Sequence, residues 1–182
     1  MREIATASSQ AGLTALELLL VLTITAILTA AGIPALQEHG LRKRMAAAVS
    51  GLHTDLNLAR REAISRNSHV IACPGSPPTG CLEQTAWQQG WLLFDDLNGD
   101  RAWQQAEPVI RIGNRLEHIT VRSSAGRHSI RFSPAGAAPA SNASIVFCDR
   151  RGLDAGRKLL ISNTGRIRRS ELDEQDAARC AA

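Results

Sequence analysis

The pattern of apolar and polar positions divides the chain into a helical N-terminal third and a β-rich remainder. Residues 13–33 form an almost uninterrupted apolar run whose one charge is Glu17. At about 1.5 Å per residue, this run forms a helix of roughly 30 Å, which matches the hydrocarbon core of a bilayer. The pattern therefore predicts a transmembrane helix over residues 13–34, after a short polar segment at residues 1–12.

Beyond Pro34 the spacing becomes that of an amphipathic helix. Apolar side chains recur every third or fourth position in one stripe, formed by Leu41, Met45, Val49, Leu52, Leu56, Ala59 and Ala63. Charged residues such as Arg42 and Arg61 lie off the stripe. This periodicity predicts that residues 35–67 continue the helix and pack the stripe onto a globular head.

From residue 68 to residue 182 the pattern favours short strands. Val- and Ile-rich segments separated by Gly, Pro, Asn and Ser lie at residues 69–73, 90–95, 109–112, 118–122, 129–133, 144–148, 158–162 and 166–169. One long helix followed by many short strands predicts an α+β fold, in which the helix packs on an antiparallel β-sheet head.

The N-terminal run has one alternative, an ordinary secretory signal peptide with small residues at Thr29 and Ala31 for cleavage. Glu17 argues against it, because a carboxylate near the centre of a bilayer costs ~2.5–3.5 kcal/mol and an export signal has no use for that charge. The helical pattern also continues beyond the cleavage site. We therefore expect the segment to be retained.

The residues around position 12, Gly-Leu-Thr-Ala-Leu-Glu, resemble the processing site of type IV pilins and pseudopilins. That family has Gly before the scissile bond, usually Phe after it, and Glu at the fifth mature position. Cleavage between Gly12 and Leu13 makes Glu17 the fifth mature residue and Pro34 the twenty-second, where pilins commonly have proline. Leu13 in place of Phe and Ala15 in place of a larger residue depart from the pattern.

The resemblance implies how the chain is processed, inserted into the membrane and assembled. Prepilin peptidase would remove residues 1–12, and the Glu17 carboxylate would pair with the new α-amine of Leu13 on a neighbouring subunit. The protein would span the inner membrane once, with a periplasmic head, and would then join other pilins in a pilus at the cell surface.

Composition narrows the function classes. Hydrophobic residues make up 44% and charged residues 21%, which excludes a disordered chain. Aromatic residues are only 3%, which argues against an RNA module built on stacking. The five histidines show no metal or triad spacing, and no Gly-rich phosphate loop is present. We expect no catalytic activity and no cofactor.

The four cysteines, Cys73, Cys81, Cys148 and Cys180, suit disulfides in an oxidising compartment. Three pairings are possible. We favour Cys73–Cys81, because the intervening Pro/Gly-rich loop can turn back, and Cys148–Cys180, which would tie down the charged tail. A zinc site is disfavoured because no close C-x-x-C pair occurs.

An acidic loop invites a calcium hypothesis. Asp96, Asn98, Asp100 and Glu107 occupy positions one, three, five and twelve of an EF-hand-type loop. Position six, normally glycine, is Arg101, and the preceding segment is strand-like. We therefore expect an ordinary turn and no metal.

The C-terminal region is basic and carries a second resemblance. The segment Gly90–Asp100 (GWLLFDDLNGD) and the C-terminal TGRIR resemble minor pilins and pseudopilins of the GspH/FimT type. Gly165-Arg166-Ile167-Arg168 resembles the G-R-x-R motif of FimT-type minor pilins, which bind DNA in transformable bacteria. On a strand, Arg166 and Arg168 share one face about 7 Å apart, close to the spacing of successive phosphates.

The resemblance implies a minor type IV pilin that binds double-stranded DNA without sequence preference for uptake in natural transformation. Arg166 and Arg168 would be the main phosphate contacts, supported by Arg169, Arg150, Arg151 and Lys158. The alternative is a structural GspH- or FimU-like pseudopilin that primes or caps a pilus or a type II secretion pseudopilus. In that case the arginines pair with the acidic tail or keep the surface soluble.

Overall fold

A computed structural model describes residues 14–180, apart from the side chains at positions 31, 34 and 35. Helix α1 spans Ala15–Arg66. The Thr14 hydroxyl caps its start by accepting the Glu17 N–H at 3.3 Å. Asn67, with φ +53°, ends it, and the N–H groups of Asn67 and Ser68 donate to the carbonyls of Ile64 and Ala63. This left-handed C-cap explains why the chain turns into a strand at His69.

The chain forms two compact units, residues 1–40 and 41–182. In the first unit, the described large apolar side chains of α1 are exposed, from Leu16 at 76% to Leu36 at 73%. Within residues 14–180, no helix combines the length and the apolar character needed to cross a membrane.

The second unit contains two antiparallel sheets. The strands are β1 (His69–Ser76), β2 (Gly80–Cys81), β3 (Trp91–Asp96), β4 (Val109–Gly113), β5 (Thr120–Ser123), β6 (Ile130–Phe132), β7 (Ala143–Cys148), β8 (Arg157–Ile161) and β9 (Ile167–Glu171). The first sheet has the order β2-β1-β3-β4, with β6 also paired to β1, and the second has the order β5-β7-β8-β9. Each of the eight segments predicted from the sequence overlaps a strand, whereas the two-residue strand β2 escaped prediction.

One core joins the helix to both sheets. All seven residues of the predicted stripe are buried, and the six from Met45 to Ala63 pack with Val70 and Leu93 of the first sheet and Ile145 and Leu159 of the second. Burial of a Leu-sized side chain stabilises the fold by about 1.5–3 kcal/mol. The α+β fold predicted from the sequence is confirmed.

The C-terminal tail folds back onto the second sheet. A 3-10 turn (Glu174–Asp176) leads into the short helix α2 (Ala177–Cys180). Disulfides join Cys73 to Cys81 and Cys148 to Cys180, with Cα–Cα distances of 5.5 Å. These are the pairings favoured from the sequence, and the second one fastens α2 to the end of β7.

Candidate functional site

A tight turn before β9 positions the G-R-x-R segment. The Gly165 N–H donates to the Ser162 carbonyl at 2.8 Å, and Gly165 has φ +75°. A Cβ at this position would lie 2.0 Å from the Gly136 carbonyl oxygen. The Arg60 side chain of α1 donates to that same oxygen at 2.8 Å. Only glycine therefore fits here, both for its backbone conformation and for its close approach to the neighbouring loop.

Arg166 and Arg168 project outward from this turn. Both are exposed, whereas Ile167 between them is half-buried and packs on the core. Strand β9 begins at Ile167, so Arg166 precedes the strand and Arg168 lies within it. Neither guanidinium has a hydrogen-bond or ion-pair partner among residues 14–180. Two unpaired cations about 7 Å apart suit the bidentate binding of phosphate oxygens.

A groove beside Arg168 contains a further arginine. The groove has a volume of about 510 Å³ and is lined by Arg127, Arg168 and the serines Ser124, Ser144 and Ser162. Arg127 is held in place because it donates to the Ala140 carbonyl at 2.7 Å and the Asn142 amide oxygen at 3.0 Å. Arg127 was not predicted from the sequence, because it belongs to no motif and lies near Arg168 only through the pairing of β7 with β8 and of β8 with β9.

Arg169 faces the opposite side of β9. It lies across from Leu159 in the ladder and donates to the Ser50 hydroxyl of α1 at 3.4 Å. Burial and the Arg169 charge together lower the pKa of His53 on the same helix. Arg169 is exposed, but it does not share a face with Arg166 and Arg168.

Arg150 and Arg151 lie at the other end of the second sheet. They follow β7 where Phe147 pairs with Arg157, so the length of β8, roughly 15 Å, separates them from the Gly165 turn. Arg151 is bound by the Asp149 carboxylate, with Nη2–Oδ2 at 2.6 Å. Burial alone would raise the pKa of Asp149, but the hydrogen bonds and charge of Arg151 outweigh it and lower that pKa. Arg150 is exposed.

Lys158 is inside the molecule and cannot serve as a phosphate contact. It is only 8% exposed, and its ammonium donates to Asp173 at 2.6 Å and to Asp176 at 2.8 Å. These hydrogen bonds raise the pKa of Lys158. The expectation that it supports DNA binding is corrected by this geometry, because a cation neutralised by two carboxylates has no charge left to offer.

The acidic tail has its own partners. Asp176 is 2% exposed and contacts Lys158 and Arg179. Burial would raise the pKa of Asp176, but hydrogen bonds from Lys158 and the Asp173 backbone, together with the Arg179 charge, lower it. Within the described residues, the tail carboxylates pair with Lys158 and Arg179, and not with Arg166 or Arg168.

The predicted processing residues lie at the N-terminal boundary of the residues that the structure describes. Gly12 and Leu13 lie outside the described residues. Glu17 is exposed in the first turn of α1, where a negative charge is favourable next to the helix N-terminus. Its exposure leaves the Glu17 carboxylate accessible for the expected pairing with another subunit.

A long N-terminal helix packed on antiparallel sheets is the fold of minor pilins and pseudopilins. The family described as "Type II transport protein GspH" matches residues 48–165. The pilin-like protein PilA1 of Thermus thermophilus is 34% identical over 163 residues, covering 86% of this chain and 96% of PilA1.

Two solved structures share the fold. The type IV minor pilin FimU of Pseudomonas aeruginosa has a TM-score of 0.55 at 20% identity and covers 71% of this chain and 90% of FimU. The minor pseudopilin EpsH from the type 2 secretion system of Vibrio cholerae has a TM-score of 0.50 at 9% identity, covering 70% of this chain and 97% of EpsH. The chain belongs to the GspH/FimT family of minor pilins and pseudopilins.

Proposed function

We propose that this minor pilin binds double-stranded DNA without sequence preference, for DNA uptake in natural transformation. The observation that carries the proposal is the pair of exposed guanidinium groups at Arg166 and Arg168, which have no partner within residues 14–180 and are held outward by the Gly165 turn. Arginine presents a planar fork that fits phosphate oxygens. Gly165 is buried and packs against the Gly136 carbonyl, so the two side chains project from a closely packed turn.

The number of cations near the Gly165 turn sets the expected affinity for DNA. Arg127 lines the groove with Arg168, and Arg60 lies beside Gly165, so four cations cluster at this end of the sheet. With about four phosphate contacts, log Kobs falls with log salt at a slope of roughly −3 to −4, and the affinity is micromolar or weaker. Repetition of the subunit along a filament offsets such weak binding through avidity.

The N-terminal helix is proposed to serve assembly. We propose that prepilin peptidase cleaves after Gly12 and that the apolar run of α1 resides in the inner membrane, with the head in the periplasm, before it packs among other pilins. The exposed apolar side chains between Leu16 and Leu36 support this proposal, since about 25 cal/mol is gained per Å² of apolar surface removed from water.

The test measures binding of fluorescent duplex DNA to the full-length chain in detergent at low salt. Arg166→Ala with Arg168→Ala should weaken binding at least tenfold. The charge-matched control is Arg44→Ala with Arg115→Ala, two exposed arginines that line a separate groove beside α1 and the first sheet. The control should bind as the wild type does.

Two results would contradict the proposal. Failure of the wild-type chain to bind at low salt leaves a structural subunit that primes or caps a filament. Equal losses in both double variants mean that binding follows net charge and not the Gly165 turn.

A further inference from the structure

The groove beside Arg168 has a lining of one charge sign. Its charged lining residues are Arg127 and Arg168, and no aspartate or glutamate of the described chain lines it. The groove beside α1 and the first sheet, in contrast, includes Asp55 and Glu117. A concave surface that carries two cations and no carboxylate raises the local concentration of anions. The charge of this groove therefore complements an anionic occupant.

Strand pairing sets the shape of the groove. Ala143 of β7 pairs with Ile161 of β8, which in turn pairs with Ile167 of β9. Strand β8 therefore forms the floor, with Asn142, directly before β7, on one wall and Arg168 on the other. Two strand spacings separate these walls, or about 10 Å between backbones. A width of that order admits one sugar–phosphate strand.

The hydrogen-bond donors on the first wall are held in place before any ligand binds. Arg127 donates to the Ala140 carbonyl at 2.7 Å and to the Asn142 amide oxygen at 3.0 Å, and its other N–H groups are unused among the described residues. Because the Asn142 oxygen accepts from Arg127, its NH₂ group is oriented as well, and it has no acceptor within residues 14–180. Donors that are already fixed lose little side-chain entropy when an anion binds.

The floor of the groove suits the sugar of a nucleic-acid strand and not its bases. Half-buried Leu160 lies between Ser144 and Arg168 in the ladder and offers apolar surface to a deoxyribose. No aromatic side chain among residues 14–180 lines the groove, so a base finds no stacking platform there. The lining therefore offers contacts to phosphate and sugar, which carry no sequence information.

We propose that this groove is a phosphate-binding subsite for one strand of DNA, in which Arg127 and the Asn142 amide bind one phosphate and Arg168 binds a neighbouring one. This inference rests on the proposed DNA binding. It extends the contact surface from the G-R-x-R segment across β8 to the residue before β7, and it makes Asn142 a contact residue that belongs to no motif.

The first test exchanges the Asn142 amide for a carboxylate of the same shape. Asn142→Asp keeps an oxygen for Arg127, removes the NH₂ donor and adds a negative charge to the groove, at an exposed position. It should weaken the binding of fluorescent duplex DNA to the full-length chain in detergent by about fivefold or more at low salt. Asn114→Asp is the same exchange at an exposed residue of the groove beside α1. This matched control should bind as the wild type does.

The second test removes the cation of the first wall. Arg127→Gln should make the slope of log Kobs against log salt shallower by about 1 unit, because one phosphate contact is lost. Since Arg127 also holds the loop at Ala140, the unfolding temperature of this variant is measured alongside. Asn142→Asp retains that anchoring bond and therefore gives a result that does not depend on it.

The outcomes separate this inference from the proposal on which it rests. If the wild-type chain binds DNA, an unchanged affinity in Asn142→Asp or an unchanged slope in Arg127→Gln overturns the groove assignment and leaves Arg166 and Arg168 as contacts. Equal weakening in Asn142→Asp and Asn114→Asp also overturns it, because binding would then follow net charge. A wild-type chain that does not bind at low salt removes DNA binding as a whole.

Discussion

Gly165 couples the backbone of the motif to the packing of the head. Its positive φ and its approach to the Gly136 carbonyl are two separate demands. Gly126 meets only the first of them, since it has φ +71° and a Cβ there would find open space. Comparing substitutions at Gly165 and Gly126 therefore distinguishes the cost of backbone strain from the cost of steric conflict.

We predict that Gly165→Ala destabilises the protein more than Gly126→Ala does. The left-handed conformation alone costs an alanine about 1–2 kcal/mol, and displacing the Gly136 loop adds to that cost at position 165. Urea unfolding of both variants checks this. Equal losses of stability would show that the close contact with Gly136 has no energetic weight.

The sequence could not predict which cationic side chains are free to contact phosphate. The alternation of Arg166, Ile167 and Arg168 predicted which residues face outward, because a strand has a period of two. No local pattern showed that Lys158 is enclosed by carboxylates 15 and 18 positions later. Arg127 is likewise brought to Arg168 only by strand pairing. The sequence shows which residues are charged, but tertiary contacts decide which of those charges are paired.

At the level of elements, the C-terminal tail is fastened by charge and by a covalent bond. Lys158 of β8 binds both ends of the turn that leads into α2, and Cys180 is bonded to Cys148. Two of the tail carboxylates, Asp173 and Asp176, are thereby engaged by Lys158.

We predict that Asp176→Asn lowers stability by about 3 kcal/mol at pH 7, because it leaves the buried Lys158 ammonium with a single partner. The folded-state pKa of Asp176 is lowered, so its contribution is present above the unfolded pKa of about 3.9 and is lost as pH falls through the folded value. The difference from wild type should shrink in acid. Urea unfolding at pH 7 and below pH 3 measures it.

The control for this prediction is Glu174→Gln, which removes an exposed carboxylate from the same turn. It should change stability by less than about 0.5 kcal/mol at either pH. A deficit of Asp176→Asn that persists unchanged in acid would contradict an ionic role for Asp176.

We also predict that removing the Cys148–Cys180 disulfide with a double Ala substitution destabilises the protein by roughly 3–4 kcal/mol, since it closes a separation of 32 residues. Denaturant unfolding measures the loss, and limited proteolysis should show earlier cleavage near α2. An unchanged midpoint would mean that the ion pairs of Lys158 with Asp173 and Asp176 hold the tail without the disulfide.

The regular elements were predictable because their signals are local. The apolar stripe of α1 and the β-branched segments each repeat with the period of their element. The two-residue β2 and the four-residue α2 escaped prediction because such short segments carry no period. Their places are fixed by disulfides and by long-range ion pairs.

Across the whole molecule, the cations proposed from the sequence do not form one surface. Arg166 and Arg168 share the Gly165 end with Arg127, whereas Arg150 and Arg151 lie at the far end of β8 and Lys158 is enclosed. A short stretch of phosphate backbone therefore contacts only the first group. We therefore predict few phosphate contacts, and we expect Arg166 and Arg168 to contribute most of the DNA affinity.

The salt dependence of DNA binding tests this claim most directly. The slope of log Kobs against log salt should be about −3 to −4 for the wild-type chain and should become shallower by about 2 units in Arg166→Ala/Arg168→Ala. The Arg44→Ala/Arg115→Ala variant should keep the wild-type slope. A double variant at 166 and 168 that retains the wild-type slope would contradict the assignment of these arginines as the phosphate contacts.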